Sequence, residues 1–205
     1  MNIAFEQSTG KYIFNLADDD CFFDNNVLLD WVNEFIKTGA LVMTAKRAVY
    51  SADLTTLSKI EPDSWIIDRL NNKQPKDLFE INRGQNYILG CVTAKKREII
   101  SQFPYDPSYK IIEDYPVILK MLRHNTKIHY FDRIVIKYRV GGISDGDNIN
   151  SKYLKESDRL FKNEVLPYTT NKFKARLEYY KWKKNIKKYQ NYKKRHQKDK
   201  EHVKC

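Results

Sequence analysis

The chain has 205 residues, of which 41% are hydrophobic, and a formal net charge of +11. The charge is segregated: residues 1–150 hold 19 Lys and Arg against 20 Asp and Glu, while residues 151–205 hold 18 against 6. This excludes a protein that is basic throughout, as nucleic-acid coats are, and the apolar fraction excludes disorder along the whole length.

Residues 11–17 form a short apolar run that ends in Asp18, Asp19 and Asp20. The pattern predicts a buried strand that opens into an acidic loop. Asp24, Asn25 and Asn26 supply N-cap candidates. Val27, Leu28, Trp31, Val32 and Phe35 then recur at helical spacing, and Gly39 ends that helix. Residues 40–44 read as a strand. Residues 51–86 are mixed, with a helix over 64–70 behind Pro62 and Asp63. A strand over 87–94, a short helix over 95–101 and a turn-rich loop at 103–107 follow. Glu113 and Asp114 open another helix, with Val117, Ile118, Met121 and Leu122 on its apolar face. Asn125 reads as the cap that stops it. Ile128, Tyr130, Ile134, Ile136 and Tyr138 share one parity, as strand residues do, until Gly141 and Gly142 end the run. Strands alternating with helices predict an α/β layered domain over 1–150, followed by a basic helical tail over 151–205.

No apolar run approaches the ~20 residues of a membrane span. No basic-then-apolar leader is visible at the start, and Cys21, Cys91 and Cys205 suggest neither a disulfide framework nor a zinc site. The expected location is the cytoplasm, or the inner face of the cell membrane as a peripheral protein.

Three adjacent carboxylates repel one another unless a cation sits among them. Magnesium or manganese takes oxygen ligands and keeps positions open for phosphate oxygens. Asp18–Asp20 therefore read either as a metal and diphosphate site at a strand end or as a solvated loop capping the next helix. Glu113 and Asp114 read either as carboxylates favoured by a helix dipole or as a general base on a second wall of the same cleft. Arg139, at a strand end, either reaches a diphosphate or forms a structural ion pair. His124 and His129 lack partners at ligand spacing and read as structural. Cys21 reads as a buried filler rather than a nucleophile.

These features resemble the bacterial family 2 glycosyltransferases, which have the GT-A fold. The resemblance rests on Asn2-Ile3-Ala4, Ser8-Thr9-Gly10-Lys11-Tyr12-Ile13 and Leu16-Ala17-Asp18-Asp19-Asp20. It continues in Phe103-Pro104-Tyr105-Asp106, Ile112-Glu113-Asp114-Tyr115 and Lys137-Tyr138-Arg139-Val140-Gly141-Gly142-Ile143-Ser144. It implies an incomplete GT-A-like, Rossmann-like mixed sheet with flanking helices, and transfer of a sugar from a nucleotide-sugar to a hydroxyl acceptor in surface-polysaccharide synthesis. By the same resemblance Asp18 contacts the donor's ribose or sugar, Asp19 ligates a divalent metal, and Asp20 assists at the metal and the donor. Arg139 joins the nucleotide-sugar site, Asp114 is the base of an inverting displacement, and Glu113 supports it. The acceptor is a glycan or a lipid-linked glycan.

The family often carries an aspartate where Ala17 stands, which leaves the division of roles among the three aspartates open. The family's first strands and helices, which bind the nucleotide base, have no counterpart here. The expectation is therefore a truncated product, a mis-assigned start or half of a split enzyme. The alternative function is a non-catalytic remnant that binds a glycan or a partner. No Gln-x-x-Arg-Trp segment is present, so a single-transfer enzyme is expected rather than a processive one.

Tyr179, Trp182, Ile186 and Tyr189 form one helical face in the tail, surrounded by lysines. Three readings stay open. The tail lies on an anionic membrane surface through residues 170–195, packs on the body by its aromatic face, or binds nucleic acid, the least favoured of the three.

Overall fold

A computed structural model describes residues 2–141 and 151–202, with side chains through Lys188. Gly142, Ile143, Ser144 and the side chain of Tyr189 lie outside the described residues. The elements in chain order are α1 (Asn2–Gln7), β1 (Tyr12–Phe14), β2 (Cys21–Phe22), α2 (Val27–Thr38), β3 (Val42–Tyr50), β4 (Leu57–Glu61), α3 (Ser64–Asn72) and α4 (Pro75–Asn82). They continue as β5 (Thr93–Lys96), α5 (Arg97–Gln102), α6 (Asp114–Arg123), β6 (Ile128–Arg139), α7 (Ser151–Leu160) and α8 (Lys172–His202).

The sheet is built around β3. It pairs in parallel with β6 from Val42 opposite Ile128 to Tyr50 opposite Arg139. On its other side β5 covers Val42 to Thr44 and β4 covers Arg47 to Tyr50, both antiparallel. The order is β1-β5-β3-β6-β2, with β4 off this path, so the sheet is mixed as expected. β1 is an edge strand. It pairs with β5, and no strand among the described residues pairs its other side. Its three residues are half-buried, where the apolar run predicted full burial.

Helices cover both faces. Successive residues of β3 point to opposite sides, so Val42 joins one core cluster and Met43 the other. On one face α2 presents Val27, Trp31 and Phe35, all buried, as its spacing predicted. Phe14 stacks on Trp31 at 4.9 Å and Tyr12 on Phe35 at 4.7 Å, so the same helix also holds β1. Burying an aromatic side chain of this kind contributes about 1.5–3 kcal/mol. Gly39 ends the helix at φ 68°, a conformation glycine adopts without penalty. On the other face α6 buries Val117, Ile118, Leu119, Met121 and Leu122 against Leu78, Phe79, Ile99 and Ile128. Asn125 ends it at φ 59°, as its sequence position suggested.

Two segments depart from the sequence pattern. The strand expected over 87–94 is instead a 3-10 turn (Gly90–Val92) leading into β5. Asn82 Oδ1 accepts the Tyr87 N–H at 2.9 Å, which ties that approach to α4 rather than to the sheet. The shared parity in β6 is broken by a bulge. Thr44 faces Tyr130 and Lys46 faces Ile134, so Val135 and Ile136 are both buried. α7 and the start of α8 pack on the body, with Leu160, Val165 and Ala175 buried. The step in charge at residue 150 is therefore not a step in packing.

Candidate active site

The acidic turn is anchored at the carboxyl ends of the parallel pair β3 and β6, where open α/β sheets place ligands. The Asp20 N–H closes the turn on the Ala17 carbonyl at 3.2 Å. β2 follows at once and pairs Cys21 with Lys137 of β6. The backbone N–H of Arg139 then donates to Asp20 Oδ1 at 3.0 Å. Burial pushes the Asp20 carboxyl above its usual range; the Arg139 N–H opposes this and the charge of Asp19 adds to it. Asp20 Oδ2 is buried and has no hydrogen-bond partner among the described residues. Asp18 is exposed and Asp19 half-buried. The Arg139 side chain is exposed and near enough to attract Asp20, but the atom it fixes on Asp20 is its backbone nitrogen.

The second acid lies on another element. Glu113 is the N-cap of α6 and Asp114 its first residue. Asp114 keeps some exposed surface, yet protein surrounds its carboxyl, and burial raises its pKa. The charge of Lys95 and the N–H groups of Gly90 and Tyr115 oppose that rise. Asn86 Nδ2 donates to Asp114 Oδ2 at 3.4 Å. Gly90 is required by contact: a Cβ there would lie 2.2 Å from Asp114 Oδ2. Burial, and the neighbouring Asp114, also raise the Glu113 pKa. The chain entering α6 is gripped from α7. The buried Glu156 carboxylate accepts the N–H groups of Lys110 at 3.0 Å, Ile111 at 2.9 Å and Ile112 at 3.3 Å.

The charges of both acids reach the 3-10 turn. The Cys91 thiol is pushed up to about 11, first by burial; Arg47 pulls it down, and both Asp20 and Asp114 push it up. The two carboxylates thus act on one sulfur from two different elements. Arg47 sits at the same point. It bonds Glu61 Oε2 through Nε at 2.8 Å and Nη2 at 2.7 Å, donates to Cys91 Sγ at 3.6 Å, and lies 3.8 Å over the Tyr138 ring. Lys95, buried in β5, donates to the Tyr105 hydroxyl at 3.3 Å.

Arg47, Lys95, Gly90, Asn86 and Glu156 were absent from the sequence-derived site. Arg47 and Lys95 carried little signal, since each adjoins a second lysine, Lys46 or Lys96, in its strand. The two histidines stand as expected, while Cys21, expected to be buried, is only half so. His129 Nε2 meets Glu34 Oε1 at 3.0 Å, and Cys21 is a half-buried strand residue. Among the described residues no group of three or more His, Cys, Asp or Glu is arranged to hold a metal. The buried, unpartnered Asp20 oxygen beside Asp19 still fits a cation that draws its remaining ligands from water or from a bound phosphate. An open trough of about 640 Å³ lies between α4 and α8, lined by Glu80, Arg83, Tyr87, Glu178 and Trp182, and none of the candidate acids lines it.

No protein-family model matches the chain, and no curated protein sequence does. Among solved structures it is similar to residues 1–349 of S. aureus TarS, a glycosyltransferase, with TM-score 0.52 and 14% identity over 87% of this chain and 47% of that one. A second S. aureus TarS structure gives the same TM-score of 0.52 and 14% identity over 85% of this chain and 28% of that one. The chain thus spans about half the length of the shorter TarS structure. At this identity the likeness concerns the fold, a curled mixed sheet with flanking helices similar to that of a glycosyltransferase.

Proposed function

We propose that the chain is the acid-bearing part of a metal-dependent, inverting glycosyltransferase. It moves a sugar from a nucleotide-sugar to a hydroxyl of a glycan or lipid-linked acceptor in bacterial surface-polysaccharide synthesis. The observation that carries this reading is the placement of Asp20 at the carboxyl end of β6 and of Asp114 against Gly90 of the 3-10 turn, two acids on separate elements whose charges both reach Cys91, on a glycosyltransferase-like sheet.

In this reading Asp19 and Asp20 hold magnesium or manganese, Asp18 contacts the donor, and Arg139 offers its exposed guanidinium to the diphosphate. The cation, when bound, neutralises the charge that builds on the departing diphosphate. The acceptor oxygen bonds to the anomeric carbon as the bond to the diphosphate oxygen breaks, and the diphosphate leaves with that electron pair. Asp114 takes the hydroxyl proton, and its raised pKa makes it a better base near neutral pH than an ordinary aspartate.

The test measures nucleoside diphosphate release by the full chain with a nucleotide-sugar and manganese. Asp114→Asn is expected to reduce turnover by about 10²–10⁴ with donor binding intact. Unchanged turnover would overturn the assignment. A second reading, a glycan- or partner-binding module without catalysis, is favoured by the unpaired side of β1. Manganese-dependent binding of the nucleotide-sugar decides for the enzyme; glycan binding without donor binding decides for the module.

A further inference from the structure

The aromatic stripe that the sequence marks on α8 is turned inward. Tyr179 is 8% exposed, stacks on Phe161 at 4.1 Å and Trp182 at 5.4 Å, and donates to Asp158 at 2.8 Å. Lys183 joins it on Asp158 at 2.7 Å, and Ala175 is buried one turn earlier. These contacts fix which face of the helix looks outward.

That outward face carries a second apolar line. Phe173 is 71% exposed, Leu177 45% and Tyr180 69%. Their steps of four and three place them in one row along the helix. Exposed cations flank the row: Arg176 and Lys187 on one side, Lys174, Lys181 and Lys188 on the other, with Lys184 continuing it. Glu178 is the one acidic residue between Lys172 and Lys188, and it is drawn away from this row to Arg83 at 2.9 Å, with Lys174 at 3.9 Å.

We propose that this face of α8 docks on an anionic lipid bilayer. A row of Phe, Leu and Tyr with cations along both sides is the geometry of a helix lying in the plane of a membrane interface. The apolar centre enters the headgroup boundary and the flanking charges meet lipid phosphates. Net charge complementarity selects the occupant, because among the described residues the six cations on this face form one ion pair, Lys174 with Glu178, and Lys187 feels Asp158 only through its charge. Nucleic acid explains the cations and the aromatics but not Leu177, which sits mid-row and has no base to stack on. The proposal does not depend on sugar transfer, and its test involves no turnover.

The test is co-sedimentation of the full chain with phosphatidylcholine vesicles, with and without one third phosphatidylglycerol. Binding is expected on the anionic vesicles alone and is expected to weaken with salt. Replacing Phe173, Leu177 and Tyr180 together by Ser is expected to lower partitioning more than about tenfold. Because all three face solvent, the circular dichroism spectrum should stay unchanged. If that variant unfolds, Lys181→Glu with Lys184→Glu should remove anionic-vesicle binding on a folded chain. Equal binding to neutral vesicles, or indifference to both variants, overturns the proposal. So does binding of a single-stranded oligonucleotide with no vesicle binding.

Discussion

The acidic cleft and the outer face of α8 each concentrate one sign of charge, and they hold it in opposite ways. In the cleft several charges lie against specified groups. Arg47 is clamped on Glu61, Glu156 accepts three backbone N–H groups, and Asp20 takes one from Arg139. On α8 the lysines stand in solvent beside an apolar row. Burying charge is destabilising unless it is paired, so the cleft contains an expense that packing alone does not explain. Exposed lysines carry no such penalty, and by themselves imply nothing. On α8 it is the uncovered Phe173, Leu177 and Tyr180 that carry the information.

The largest expected effect separates the two regions by activity and stability together. Asp114→Asn should lower turnover by about 10²–10⁴, equivalent to about 3–5 kcal/mol in the barrier. The same change should raise thermal stability at neutral pH. The folded-state pKa of Asp114 lies above its unfolded value. The folded chain therefore holds the proton longer, and stability is fully present below about pH 3.9, the ordinary aspartate value, and falls as pH rises through the folded value. Melting curves from about pH 4 to about pH 8 should fall less steeply for the variant than for the parent. A variant that is inactive and also less stable at neutral pH would mean that Asp114 serves the fold.

Arg47→Met tests the pairing itself. It removes the guanidinium that pairs with Glu61 and attracts Asp20; Lys59 stays on Glu61 at 2.6 Å, and the loss should cost about 1–3 kcal/mol. Urea unfolding would measure it. A loss under about 1 kcal/mol would place the pair with ordinary surface salt bridges and blur the contrast with α8. Gly90→Ala should cost about 1–3 kcal/mol, because the new methyl overlaps Asp114 and one of the two must move. Its activity should fall together with its stability, whereas Asp114→Asn uncouples them.

These contrasts also explain what could be read in advance. α2 and α6 were legible because each buries one face at helical spacing and ends on a residue suited to positive φ, Gly39 and Asn125. β4 was not, because it pairs half of β3 while four of its five residues stay exposed, so it has no apolar alternation. α4 was also missed, although Pro75 marks its first turn. The acids were conspicuous as clusters. Lys95, Gly90 and Glu156 act on them from distant sequence positions, which local spacing does not reveal. On α8 the pattern exposed one stripe and hid the other. Tyr179 and Trp182 form the denser aromatic row and take the packed side, while the sparser Phe173, Leu177 and Tyr180 face solvent.

The smallest expected effect completes the contrast. Lys184→Ala removes an exposed charge from the outer face of α8. Substitutions of this kind usually stay within about 0.5 kcal/mol of the parent, so urea unfolding should not distinguish the two. Partitioning onto anionic vesicles should still drop severalfold, since each lysine near such a surface contributes about 1 kcal/mol. The signature is a change in binding with none in stability, the reverse of Arg47→Met. A measurable loss of stability for Lys184→Ala would mean that α8 uses its outer charges to hold itself to the body.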